Sequence, residues 1–364
     1  MPHEPRRNLF AAVRFSVYGV LLGVIGGVPL GVALSSGGWL LPNAGLDVGG
    51  FDRTSASMAP GGDPVDPLDP FNLDGLVEPR EHIIHGGPPK DGIPALVDPT
   101  SVPVSRAVAI SPDDRVIGVA MNGEARAYPI RLLNYHEIVN DVLGGVPIAV
   151  VYCPLCDSVS VVDRRVGGDT VTFGVSGLLL HSNVLMYDRS HDALWTQLGG
   201  RAISGPFAGR ALSHFNSWEI ARFDAWSHRF PTGRVISLDT GHERNYERSP
   251  YAEYFENDDL YFPVPRDDRL PRRKVPVVGV QVGDRTCAVP VEAVHRAPGG
   301  RLEVPLGQQR VILEADASGA QEIAIIDAPE GARAVHTFWF AWAAFHPNTA
   351  VYGVRPTTQP QSAP

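Results

Sequence analysis

Residues 116–133, VIGVAMNGEARAYPIRLL, and residues 277–294, VVGVQVGDRTCAVPVEAV, align without a gap, and this repeat limits the fold more than any other feature of the chain. Gly118 meets Gly279, Ala127 meets Ala288 and Pro129 meets Pro290. Each copy reads as two strands joined near Asn122-Gly123 or Gly283-Asp284, dipeptides that favour the tight turn of a hairpin. A second correspondence follows in the same order: AWSHRFPTGRV at 225–235 and AWAAFHPNTAV at 341–351, with Trp226 against Trp342, Pro231 against Pro347 and Val235 against Val351. Both read as the end of a helix ahead of a strand. Two elements recurring in one order predict an internal duplication, hence two packed β-rich halves, about 106–240 and about 271–355. Chance likeness between hairpins bounded by Gly and Pro is the competing explanation. The 38 glycines and 33 prolines suit short strands and turns, so the expected class is mainly β (α+β) with a few short helices.

The halves differ at one place. The second offers VILEADASGAQEIAIID (311–327), a strand-turn-strand without cysteine, where the first has PIAVVYCPLCDSVSVVD (147–163). Ile148 to Tyr152 and Val159 to Val162 are β-prone, so Cys153-Pro154-Leu155-Cys156 reads as a hairpin turn. In a thioredoxin-type site the pair opens a helix, whereas Asp157-Ser158-Val159-Ser160 has poor helix propensity. A Cys-Pro-x-Cys turn between strands resembles the knuckle of rubredoxins and zinc ribbons, which supplies half of a four-ligand metal site. Three readings stay open: metal ligands, a redox or structural disulfide, and inert buried thiols. A metal needs further donors. His136, in a short helix expected over 134–141, is the first candidate; His181 is the second, with Met186 a donor only to copper. The metal reading implies one transition metal ion, Zn, Cu or Fe. Cys287 aligns with Arg126 in the repeat and reads as a buried small residue.

Other chemistry has less support. Cys156 is followed by Asp157 rather than His, so no c-type haem is attached, and no phosphate-binding glycine loop points to a nucleotide. Ser176 lacks the G-x-S-x-G spacing of a nucleophile elbow. A net charge of −9 without a basic patch argues against nucleic acid. A binding module without chemistry would place Met186, Asp188, Trp195 and Gln197, with Tyr251 and Tyr254, around a pocket for sugar or peptide.

Arg6, Arg7 and Arg14 precede an uncharged stretch from Phe15 to Ser36, the layout of a signal sequence or membrane anchor over 1–36. The positive flank would stay in the cytoplasm, placing the rest outside it, anchored by or exported through residues 9–36. Arg6-Arg7 also fits a twin-arginine export signal. Residues 37–85, rich in Pro, Gly and Asp, read as an extended linker; residues 86–100 read as an arm against a domain running to 355. The tail 356–364 is expected to be disordered.

Several segments in order carry a family resemblance: GGPPKDGIPALVDP (86–99), EARAYPIRLLNYHEIVND (124–141), VYCPLCDSVSVVDR (151–164), VSGLL (175–179), SNVLMYDR (182–189), LWTQLGG (194–200), SPYAEY (249–254) and FWFAWAAFHP (338–347). Over roughly residues 80–355 the chain resembles the bacterial and archaeal family called domain of unknown function 3179. The resemblance implies that these strings are signature segments, commonly found behind an export or membrane segment. It implies no activity. Asp157 stands where a metal knuckle usually has Gly or another small residue, which weakens the left-handed turn a knuckle prefers. The resulting expectation is an extracytoplasmic, membrane-associated protein whose CPLC hairpin binds a transition metal for redox or metal handling. A thiol-disulfide protein and a non-catalytic binding module are the competing classes.

Overall fold

The computed structural model describes residues 66–315 and 323–353. These form a mainly β structure with a few short helices. The expected signal or anchor over 1–36, the linker up to residue 65, the 316–322 turn and the 356–364 tail lie outside the described residues. Among the described residues no helix is long and apolar enough to cross a membrane.

The two stretches aligned in sequence have the same local fold. Arg115–Met121 and Glu124–Pro129 form a hairpin followed by the helix Ile130–His136. Pro276–Val282 and Arg285–Pro290 form a hairpin followed by the helix Val291–His295. Each hairpin gains an antiparallel strand on its first member, Trp218–Arg222 or Arg333–Phe338. Each also gains a parallel strand on its second, in a matching register: Val235 lies opposite Ala127, and Val351 opposite Ala288. Trp226 and Trp342, in the helices Phe223–Arg229 and Trp339–Phe345, are fully buried. The aligned glycines, Gly118 and Gly279, explain how they fit. A Cβ on Gly118 would lie 2.1 Å from the Trp226 ring, and one on Gly279 would lie 2.2 Å from the Trp342 ring. Only glycine leaves room for an indole pressed onto the sheet.

The first hairpin belongs to a five-stranded sheet and the second to an eight-stranded one. Next to each other in that larger sheet lie Ile138–Leu143, Val146–Cys153 and Ser158–Asp163, followed by Arg333–Phe338. Period-two alternation sends the side chains of Val146–Cys153 into two separate cores. Ile148, Val150 and Tyr152 pack with Ile117, Tyr128 and Leu132 of the first repeat. Ala149, Val151 and Cys153 pack on the other face with Met186, Trp195 and Trp342. A strand buried on both faces reads as a continuous apolar run, and that alternation decides which way the first thiol points.

Residues 164–215 supply a further sheet, in which Ile83–His85, Phe173–Leu180, Asn183–Asp188, Leu194–Thr196 and Arg201–Ala202 are neighbours in that order. Two expectations change here. The segment 66–85 is part of the domain rather than a tether: Leu68 and Phe71 are buried, and Ile83–His85 pairs with Leu178–Leu180. Its apolar residues are interleaved with Asp and Pro, a linker-like composition that hides their packing. The helix expected over 134–141 stops at His136, because Glu137 takes a positive φ of 55° and the β-branched Ile138 and Val139 join the sheet.

Candidate functional site

Cys153 and Cys156 occupy the tip of a hairpin, as the flanking β-prone runs require. Cys153 ends one strand and is the N-cap of a single 3-10 turn, Pro154–Cys156, with proline at its first position, where the missing N–H costs nothing. Asp157 closes the turn in the left-handed region, φ 45° and ψ 40°, before Ser158 starts the next strand. Aspartate tolerates that region better than most residues. Here its carboxylate is also held: Arg115 donates to both oxygens at 3.3 and 3.1 Å, Tyr152 Oη donates at 2.8 Å, and His336 Nε2 lies 3.4 Å away. Burial alone would raise its pKa, but Arg115 and His336 hold the carboxyl well below the usual range. Thus the residue that departs from the knuckle pattern makes the same left-handed turn by anchoring its side chain.

Both thiols are buried, Cys153 at 1% and Cys156 at 0% exposure, and are not joined in a disulfide. They converge on one carbonyl: Cys156 Sγ lies 3.2 Å and Cys153 Sγ 3.9 Å from the oxygen of Ser182. Ser182 and His181 form the two-residue turn between Phe173–Leu180 and Asn183–Asp188, both with positive φ, so two hairpin tips face one another. Below the thiols, Gln197 ties the hairpins together. Its Nε2 donates to the carbonyls of Val151 and Ser158, and its Oε1 accepts from Ser158 Oγ at 2.6 Å and Asn183 Nδ2 at 2.8 Å. Above them Tyr254 Oη donates to Leu155 O at 2.9 Å.

The two sulfurs differ electrostatically. Burial pushes Cys153 up, yet the Cys156 thiol and the backbone N–H groups of Val184, Cys156 and Leu155 favour its thiolate, and the balance lies below the ordinary thiol value. Cys156 moves the other way: burial, then the neighbouring Cys153 sulfur, hold it well above. Glu137 was not singled out from sequence. It is 7% exposed, and among the described residues its carboxyl makes no ion pair or hydrogen bond. Burial, then negative charge at Cys153, hold it well above the usual carboxylate range. Its positive φ is uncommon for a residue other than glycine, and such strain gathers at functional sites. The YHEI string contained the residue, but the signal is a backbone angle and a burial that no local pattern reveals.

The remaining sequence candidates fall elsewhere. His136 is buried with both ring nitrogens engaged, Nδ1 with Pro94 O at 2.8 Å and Nε2 with Tyr246 Oη at 2.6 Å, so ligating a metal would break one of these bonds. His181 directs its ring at His82 and Phe345. Among the described residues no group of three or more His, Cys, Asp or Glu side chains is arranged to hold a metal ion. Met186, Asp188, Trp195 and Gln197 are interior residues rather than a pocket wall: Met186 lies opposite Trp195 in the sheet, and Asp188 accepts from Trp195 Nε1 at 2.9 Å and binds His191. Cys287 is buried in the second repeat's core, its thiol pushed up to about 12 by burial.

Fold and site together define a mainly β protein with an asymmetric dithiol at a buried hairpin tip. The chain belongs to the family described as "Protein of unknown function (DUF3179)", whose model matches residues 90–333. No curated protein and no solved structure matches it.

Proposed function

We propose that this is a thiol-disulfide redox protein in which Cys153 is the nucleophile, Cys156 the resolving thiol and Glu137 the proton carrier. The observation that carries this reading is the opposed pair of sulfurs, one shifted towards thiolate and one towards thiol, with a buried carboxyl of raised pKa beside them. A thiolate attacks a disulfide and a thiol does not, so such asymmetry assigns the order of events. Cys153 attacks one sulfur of a substrate disulfide, and Glu137 protonates the thiolate that leaves. Once Cys153 is in the mixed disulfide its charge is gone, and the Glu137 carboxylate then accepts the proton of Cys156. Cys156 attacks Cys153 Sγ, expelling the second substrate thiolate; the protein ends as a disulfide and the substrate as two reduced sulfurs. Because Tyr254 and its neighbours cover the thiols, a protein-sized substrate reaches them only when this segment lifts.

Export through residues 9–36 and residence outside the cytoplasm fit a protein that carries a disulfide for part of its cycle, since disulfides form and persist in an oxidising compartment. The matching order of elements and the paired Gly118–Trp226 and Gly279–Trp342 contacts support an origin by duplication, with the dithiol arising in one copy.

Glu137→Gln tests the proton carrier. With Glu137 still protonated while Cys153 ionises, its neutral isostere glutamine should leave the Cys153 thiolate titration close to that of the wild type. Resolution of the mixed disulfide should slow by roughly 10²-fold or more, the usual contribution of a general base. An unchanged resolution rate removes Glu137 from the mechanism.

A further inference from the structure

Arg333 begins the strand that pairs with the second repeat's hairpin, yet its side chain points away from any partner that could neutralise it. The residue is 7% exposed. One of its nitrogens, Nη2, donates to the backbone oxygen of Gln197 at 2.7 Å, while Nε and Nη1 are buried without a hydrogen-bond partner. Among the described residues no carboxylate forms an ion pair with it. His214 has a buried partnerless Nε2 as well. The two converge: a Cβ on Gly200, whose φ is +64°, would lie 2.8 Å from Arg333 Nη1 and 2.8 Å from His214 Nε2. Glycine there lets both side chains approach its backbone, where a Cβ would clash with each. Burial pushes the Arg333 guanidinium down, and no anion counters it.

This corner is the floor of a groove of about 1010 Å³ that runs between residues 199–216 and residues 325–333. Its walls combine bare glycine backbone with the apolar Leu212, Ile325 and Ile326, the last of which is an exposed large hydrophobic residue. Asp327 and Glu330 also line it; Asp327 lies 3.8 Å from Arg310. Arg201, a further lining cation, is already paired with Glu78 at 2.6 Å. Arg333 is therefore the one unpaired guanidinium among the described residues of the groove. A buried charge without a counter-charge is strongly unfavourable, and arginine is the side chain best shaped to take up a carboxylate or phosphate. A groove of this size holds more than an inorganic ion.

We propose that the groove binds an organic anion, its carboxylate or phosphate seated on Arg333 and His214 at Gly200 and its apolar body along Leu212, Ile325 and Ile326. The site is separate from the dithiol, although Gln197 touches both, so its test does not depend on redox activity. Hexanoate and hexyl phosphate serve as probes, with hexanamide as a neutral control, in calorimetric titrations of the full chain. One or both anions should bind, the carboxylate or the phosphate identifying the head group, and hexanamide should bind at least tenfold more weakly. Arg333→Gln should reduce anion affinity at least tenfold and His214→Ala several-fold. Should Arg333→Gln not fold, the comparison of anion with neutral isostere on the wild type decides the matter together with His214→Ala. Failure of both anions to bind, equal binding of hexanamide, or variants that bind as the wild type does would overturn the proposal.

Discussion

Cys153→Ser should bring disulfide exchange to the background rate, whereas Cys156→Ser should stall after the first step with one substrate equivalent covalently attached. Removing the nucleophile of a covalent catalyst costs on the order of a millionfold in a well-studied case, and serine at Cys153 has no comparable nucleophilicity at neutral pH. Cys156→Ser keeps the thiolate and loses only the sulfur that resolves it. Single-turnover reaction with a chromogenic aromatic disulfide, followed by mass determination, separates the two. A metal knuckle behaves differently: both substitutions remove one of two equivalent ligands and have the same consequence. The difference between the variants therefore distinguishes the readings even before a physiological substrate is known.

Trp342→Ala should lower stability by roughly 3–5 kcal/mol, the usual loss for a buried aromatic. Against a typical total of about 5–15 kcal/mol that is a large share. Trp342 is fully buried in the core that also contains Cys153, Cys156 and Trp195, and its Nε1 donates to Thr349 Oγ1 at 2.9 Å. Truncation would empty the space over Gly279 and leave the threonine without its donor. Trp226→Ala should cost a comparable amount but in a separate, smaller core with no thiol in it. Denaturant unfolding of both variants, with thiolate absorbance followed in parallel, checks this pair. Loss of stability in both with altered thiolate titration in Trp342→Ala alone is the expected outcome; a change below about 1 kcal/mol for Trp342→Ala would mean that the core relaxes into the space.

Much of this architecture could be read from residue order. The Asn122-Gly123 and Gly283-Asp284 turns, the paired glycines and tryptophans, and the β-prone runs around CPLC are local signals, and the structure places a turn or a contact at each. The site was harder to read because its meaning lies in long-range packing. His136 lies close in sequence to the strand that delivers Cys153, but Pro94 and Tyr246 occupy its ring nitrogens, and neither could be foreseen as its partner. Gln197 and Trp195 looked like pocket residues because polar and aromatic side chains line pockets; here they fasten hairpins together inside the core. Glu137 was passed over because an acidic residue in a short surface helix is ordinarily solvated. Its burial, and the raised pKa that follows from it, are tertiary features. Arg333 was invisible for a related reason: an arginine is notable only when it is buried and nothing answers its charge.

The most direct measurement is a redox titration of the purified, untagged full chain, with free thiols trapped by a mass tag at each potential. Cys153 and Cys156 should be lost together at a single midpoint and return on reduction, while Cys287 stays reduced throughout. Both thiols remaining free across the whole range, or protected only while a stoichiometric metal ion is bound, would contradict a redox role and return the hairpin to the metal reading.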